Sequence, residues 1–153
     1  MQYSHMEPSP PPNEPAAEAR RAARLATPRL TRELETVAAM LRIYCRDHHA
    51  TVAHGDALPC AACASLQDYA CKRLASCTYG PDKPTCVNCP IHCYGRNQRE
   101  AMRVVMRYAG PRMLWRHPLL AVAHLIDGRR PVPPKPNSQA AAQGQDAASA
   151  PPR

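Results

Sequence analysis

The 153-residue sequence contains no phenylalanine, one tryptophan (Trp115) and six tyrosines. Aromatic side chains carry the largest apolar area into a core. A small domain short of them usually needs a disulfide or a metal to stay folded. Long apolar runs are missing as well. The longest, Leu119 to Ile126, falls far short of the roughly 20 residues that span a bilayer, so no membrane partner is expected. No basic start followed by an apolar stretch opens the chain, so no secretory signal is visible. A reducing cytosol is the expected compartment, and there cysteines remain thiolates or metal ligands. A disulfide scaffold is the competing reading, and nothing marks the chain for export.

Proline, by contrast, is abundant: 18 residues, clustered at the ends. Residues 1–26 and 131–153 combine proline with alanine and polar residues and carry little apolar surface to offset the entropy of ordering. Both are expected to be disordered tails flanking one domain over 27–130. Within it the periodicity predicts an all-α fold of three to four helices, with metal-stapled cysteine-rich loops. Leu30, Leu34, Val37, Leu41 and Tyr44 recur at three- and four-residue intervals on a first helix from Thr27 or Thr31 to about Asp47. Thr27-Pro28 suits an N-cap followed by proline at the first helical position. A second helix begins around Cys60 to Ala64 and turns Leu66, Tyr69, Ala70 and Leu74 inward. The prolines and glycine of Thr78–Tyr94 predict irregular chain. A third helix spans Arg96 to Ala109, stopped by Gly110-Pro111. A last helix, Pro118 to Asp127, is apolar nearly all round, which predicts burial, and Gly128 closes it. No stretch alternates long enough to make a strand.

Eight cysteines supply the missing staple. Two Cys-x-x-Cys pairs, Cys60/Cys63 and Cys86/Cys89, have the spacing that turns both sulfurs toward one ion. Cys45 and His49 lie four apart at the end of the first helix and so share a face; His48, three apart, fits nearly as well. With Cys60 and Cys63 they complete a tetrahedron of three cysteines and one histidine. Cys77, Cys86, Cys89 and Cys93 form a second set, of four cysteines. Closed sites of this kind usually hold structural zinc. A four-cysteine set equally suits an iron–sulfur cluster, and thiolate softness does not separate the two. Cys71 is left over as a small core residue. His48, His49 and His92 could each be ordinary surface histidines, while His117 and His124, on apolar helices, read as core or boundary residues.

Catalytic motifs are scarce. Pro59-Cys60-Ala61-Ala62-Cys63 matches half of the zinc deaminase signature. The upstream His54-Gly55-Asp56, however, has aspartate where that chemistry needs glutamate, and too few residues intervene. No βαβ unit accompanies a Cys-x-x-Cys pair, and metalloprotease, serine-nucleophile and phosphate-loop motifs are absent. A non-enzymatic role is the expectation.

The net charge is +8 and is unevenly placed. Between Arg96 and Arg130 eight arginines face only Glu100 and Asp127, a local excess of +6. Arg96, Arg99, Arg103 and Arg107 form one stripe of the third helix, continued by Arg112 and Arg116. Arginine stripes suit bidentate phosphate contacts, which makes nucleic acid a candidate partner. A solvated helix face is the plainer explanation.

The blocks Ile43-Tyr44-Cys45-Arg46-Asp47-His48-His49, Cys60-x-x-Cys63, Tyr69-Ala70 and Arg73-Leu74 resemble the bacterial nitrous oxide-stimulated promoter (YgbA-like) family. So do Lys83-Pro84-Thr85-Cys86-Val87-Asn88-Cys89-Pro90-Ile91-His92-Cys93-Tyr94 and Met106-Arg107-Tyr108-Ala109-Gly110-Pro111-Arg112-Met113. Arg116-His117-Pro118 and the segment from His124 to Arg130 complete the likeness, which covers about Arg32 to Arg130. Seven of the cysteines, all but Cys71, fit the family pattern; Cys71 and the two tails depart from it. The resemblance implies expression during nitrosative stress in bacterial cytoplasm and assigns no activity.

Overall fold

The computed structural model describes residues 14–49 and 59–134, whose regular elements are all helices. In order come α1 (Glu14–Leu25), α2 (Pro28–His48), α3 (Ala61–Ala75), a single 3-10 turn (Gly80–Asp82), α4 (Arg96–Arg116) and α5 (Pro118–Gly128). No strand occurs among the described residues. Gly80 adopts φ +54°, a left-handed conformation that glycine accepts without Cβ strain.

The centre of the fold is α2, which packs against α1, α3, α4 and α5. That position explains why its buried residues exceed one narrow stripe. Leu30 and Leu41 are fully enclosed, and Val37, Ala39, Met40, Ile43 and Cys45 join them. Met102, Val105, Ala109 and Met113 of α4 close the same core, with Ala70 of α3 and Ala121 of α5. A buried side chain such as Leu41 contributes about 1.5–3 kcal/mol. Two buried ion pairs tie outlying segments to α2. Lys83 Nζ lies 2.8 Å from Glu33 Oε1, both nearly inaccessible. Asp127, at the end of α5, meets Arg29 and, at 3.0 Å, Arg32.

Helices α2, α3 and α5 start and stop close to the sequence expectation. Thr27 precedes Pro28 at the first position of α2, but its hydroxyl donates to the Arg24 carbonyl at 2.8 Å, closing α1 and leaving α2 without a side-chain cap. Three expectations fail.

The disordered tail over 1–26 fails at Glu14–Leu25, which forms α1. Its alanine, glutamate and arginine run has high intrinsic helix propensity, which counting prolines concealed. Arg24 Nη1 anchors it to the Cys77 carbonyl at 2.8 Å. Arg24→Ala should lower stability by about 1 kcal/mol, the net worth of one such bond, read as a shifted urea midpoint with an unchanged slope.

The stop at Gly110-Pro111 fails as well: α4 runs on to Arg116 with Pro111 inside it. A proline inside a helix cannot donate to the carbonyl four residues back; Gly110, with no Cβ, relieves part of the crowding on the residue before proline. Met113, 3% exposed, anchors the turn beyond.

Burial of α5 is the third failure. Only Ala121 and Asp127 are buried, whereas Leu119, Val122, Leu125 and Ile126 are exposed, as is Trp115 at 89%. Helices α4 and α2 cover one face of α5, and no described element covers the other. His117, expected in or near the core, is exposed at the junction of α4 and α5. The tail expected over 131–153 is described only to residue 134; the rest, with residues 1–13 and His54, Gly55 and Asp56, lies outside the described residues.

Candidate metal centre

The last turn of α2 and the first turn of α3 meet end to end. Cys45 lies on α2, fully buried, and His49 caps its C-terminus. Cys60 is the N-cap of α3 and Cys63 lies in its first turn. The four donor atoms of Cys45, His49, Cys60 and Cys63 all fall within 4.8 Å of one another. His49 Nδ1 is 3.3 Å from Cys60 Sγ and 3.4 Å from Cys63 Sγ. Zinc bonds of about 2.3 Å to sulfur and 2.0 Å to nitrogen place tetrahedral S and N donors roughly 3.5 Å apart. The cluster therefore has the dimensions of one tetrahedral ion.

Local structure sets these positions. The four-residue step from Cys45 to His49 stacks the two on one helix face. The Cys60-Ala61-Ala62-Cys63 step opens α3, whose N-terminal amides favour thiolate. The Cys60 backbone N–H donates to Cys45 Sγ at 3.2 Å. The Cys63 backbone N–H, outweighing burial, lowers the Cys60 pKa to about 6, with help from Cys45, Cys63 and His49. Cys63 moves the other way: burial first, then the adjacent Cys60 and Cys45, push its thiol up to about 12. Three thiolates crowded together cannot all ionise unless a cation joins them, and a divalent ion meets that need.

The choice between His48 and His49 follows from the phase of the helix end. The His48 ring stacks on Tyr44 at 4.4 Å and meets Tyr108 edge-on at 4.3 Å, turned away from the sulfurs. Tyr44 also touches the His49 ring edge-on, 5.6 Å between centroids, and so helps to orient it. That contact had no sequence signal beyond the five-residue spacing.

The second set is arranged differently. Cys77, Cys86, Cys89 and Cys93 all line one cavity of about 460 Å3. Among the described residues, however, no three other His, Cys, Asp or Glu side chains come as close together as the first tetrad. His92 lines the same cavity. Cys71 is half-buried on α3. The arginines Arg96, Arg99, Arg103, Arg107, Arg112 and Arg116 are all exposed along α4. Arg103 pairs with Glu100 at 3.3 Å, and Arg112 lies 3.7 Å over the Tyr108 ring.

The fold and the site thus define a helical, cysteine-rich protein with a Cys/His cluster able to coordinate a metal ion. The chain belongs to the nitrous oxide-stimulated promoter family, whose family model matches residues 28–137. It is similar to the uncharacterized protein YgbA of Escherichia coli strain K12, with 47% identity over 111 residues, 71% of this chain and 88% of that protein. No solved structure matches. Among the described residues no helix is long and apolar enough to cross a membrane.

Proposed function

We propose that this is a non-enzymatic metal-binding protein of the bacterial nitrosative-stress response, acting in the cytoplasm, with zinc held by Cys45, His49, Cys60 and Cys63. One observation carries the reading: three sulfurs and an imidazole nitrogen closed to ligand spacing between two helix ends. Closed tetrahedral sets of this composition suit zinc in a structural role. The family description, which names a promoter's response to nitrous oxide, supports the link to stress. Thiolates at zinc also suit that setting. An S-nitrosothiol can transfer its nitroso group to a bound sulfur and leave as a thiolate, and the modified sulfur then loses its hold on the ion.

Anaerobically purified full-length protein should carry one zinc at this site. Treatment with an S-nitrosothiol should release it and reduce helix content together. Protein whose tetrad binds no zinc, or keeps it through nitrosation, contradicts the proposal.

A second reading is a nucleic-acid regulator in which the metal is only structural. It is favoured by the exposure of the arginine stripe on α4. Each phosphate contact adds about 0.9 to the slope of log affinity against log salt. Replacing Arg99, Arg103 and Arg107 by alanine should therefore reduce that slope for duplex DNA by roughly 3, with metal content unchanged. Duplex binding that is undetectable at low salt, or indifferent to these changes, removes this reading.

A further inference from the structure

The two cysteine sets differ in spacing, and the difference has chemical meaning. Four thiolates on one zinc must sit roughly 3.8 Å apart. The first tetrad has closed to that scale. Cys77, Cys86, Cys89 and Cys93 have not, although all four line one cavity of about 460 Å3. Thiolates that bind different irons of a cluster are held farther apart than thiolates sharing one ion.

The cavity is also built. Its loop is fastened to the core by three contacts. Lys83 is buried against Glu33, Arg29 Nη2 donates to the Lys83 carbonyl at 3.1 Å, and Asn88 Nδ2 donates to the Gly128 carbonyl at 3.0 Å. At the far end Tyr69 accepts a hydrogen bond from the Gly95 backbone N–H at 2.9 Å. The wall supplied by α4 alternates in character: Met102 and Met106 give an apolar surface, while Arg99, Arg103 and Arg107 give positive charge. Cys86 and Cys93 remain exposed, so a group bound there is reachable from solvent.

Resting on the reading of the chain as a metal-binding protein, we infer that Cys77, Cys86, Cys89 and Cys93 hold a polynuclear iron–sulfur cluster, with Arg99, Arg103 and Arg107 of α4 stabilising its negative charge. Binding is ligand exchange without electron transfer. Each thiol loses its proton to solvent and its sulfur takes up one coordination position on iron. Four thiolates leave the assembled site anionic, and the α4 guanidiniums offset that charge. The chain then carries two centres of different kinds: a closed zinc tetrad joining α2 to α3, and a solvent-reachable cluster between the 77–93 loop and α4. Charge, hydrogen bonding and exposure set the potential of such a cluster, which makes the three arginines positioning residues for its redox behaviour.

The test uses full-length protein reconstituted anaerobically with ferrous and ferric iron and sulfide, so that the iron is supplied in the oxidation states of the assembled cluster, with zinc measured in parallel. The wild type should take up iron and acid-labile sulfide in equal amounts, two or four of each per chain, and turn brown. Cys86→Ser with Cys89→Ser should lower both at least tenfold while zinc at the tetrad stays at one per chain. Retained zinc with lost cluster separates this inference from the zinc reading, and a Cys60→Ser variant that kept its zinc would strike only the latter. Wild type that binds no sulfide, or fills the cavity with a second zinc, overturns the inference, as does a double variant that keeps its cluster. Should the double variant fail to fold, Arg99→Ala, Arg103→Ala and Arg107→Ala together decide. The cluster should remain and its reduction potential should fall, because an added electron loses nearby positive charge; an unchanged potential overturns the assignment.

Discussion

Replacing Cys45 with serine should abolish tight zinc binding and, with it, the cooperative thermal transition of the whole helical domain. The size of the effect follows from comparing two scales. Structural zinc contributes about 10–16 kcal/mol of apparent binding energy in small finger peptides, whereas an ordinary domain is stable by only about 5–15 kcal/mol in total. Cys45 is fully buried on α2, the helix against which α1, α3, α4 and α5 pack. Losing its sulfur removes one donor of four, replaces the acceptor of the Cys60 N–H with a shorter-reaching hydroxyl, and detaches the start of α3. A chelator added to the unaltered protein should reproduce the same loss, and restoring zinc should reverse it. A serine variant that melts at the wild-type temperature in the presence of a chelator would mean that the helices need no staple.

Asp127→Ala should cost about 3–5 kcal/mol, the range for breaking one partner out of a buried ion pair. Asp127 is 5% exposed and meets Arg29, itself 10% exposed, with Arg32 at 3.0 Å and Arg130 at 3.3 Å. Arg32 and Arg130 are more exposed, so water and salt weaken their share. Most of the loss comes from Arg29, stranded in the core with no carboxylate. Burial works against ionisation of Asp127, but the hydrogen bonds from Arg29 and Arg32 outweigh it and hold its carboxyl below the ordinary aspartate range. A depressed folded-state pKa contributes stability that is complete above the unfolded value, about 3.9, and disappears as pH falls through the folded value. Urea unfolding measured from pH 6 downward should therefore show a steep acid limb in the wild type and a shallower one in Asp127→Asn. Equal acid limbs would place the Asp127 carboxyl outside the stabilising network.

Much of the fold was legible in the sequence because it depended on local signals. The spacing of Leu30, Val37 and Leu41 gave the inner face of α2, Thr27-Pro28 gave its start, and Gly128 gave the end of α5. The misread segments were those where context outweighed a local rule. Pro111 normally breaks a helix, yet Gly110 eases the crowding on the residue before it, and Met113 secures the continuation. The apolar composition of α5 suggests enclosure, but a helix is enclosed only if neighbours exist on every side, and Leu119 and Val122 are exposed. α1 was hidden among prolines although its alanine-rich segment is a strong helix former.

The cysteine pattern pointed to two four-residue sets but carried no information on how far apart their sulfurs would settle. That distance depends on whether the donors sit on rigid helix ends, as Cys45 and Cys63 do, or on a loop around a cavity, as Cys86 and Cys89 do. The choice of His49 over His48 turned on a single step of helical rotation next to Tyr44 and Tyr108, finer than periodicity resolves.

X-ray absorption at the zinc edge of the full-length protein interrogates the helix-end tetrad most directly. One zinc surrounded by three sulfurs near about 2.3 Å and one nitrogen near about 2.0 Å is the shell that Cys45, His49, Cys60 and Cys63 must produce. A shell built only of oxygen and nitrogen, or zinc left in place after Cys60 and Cys63 are both changed to serine, would contradict it.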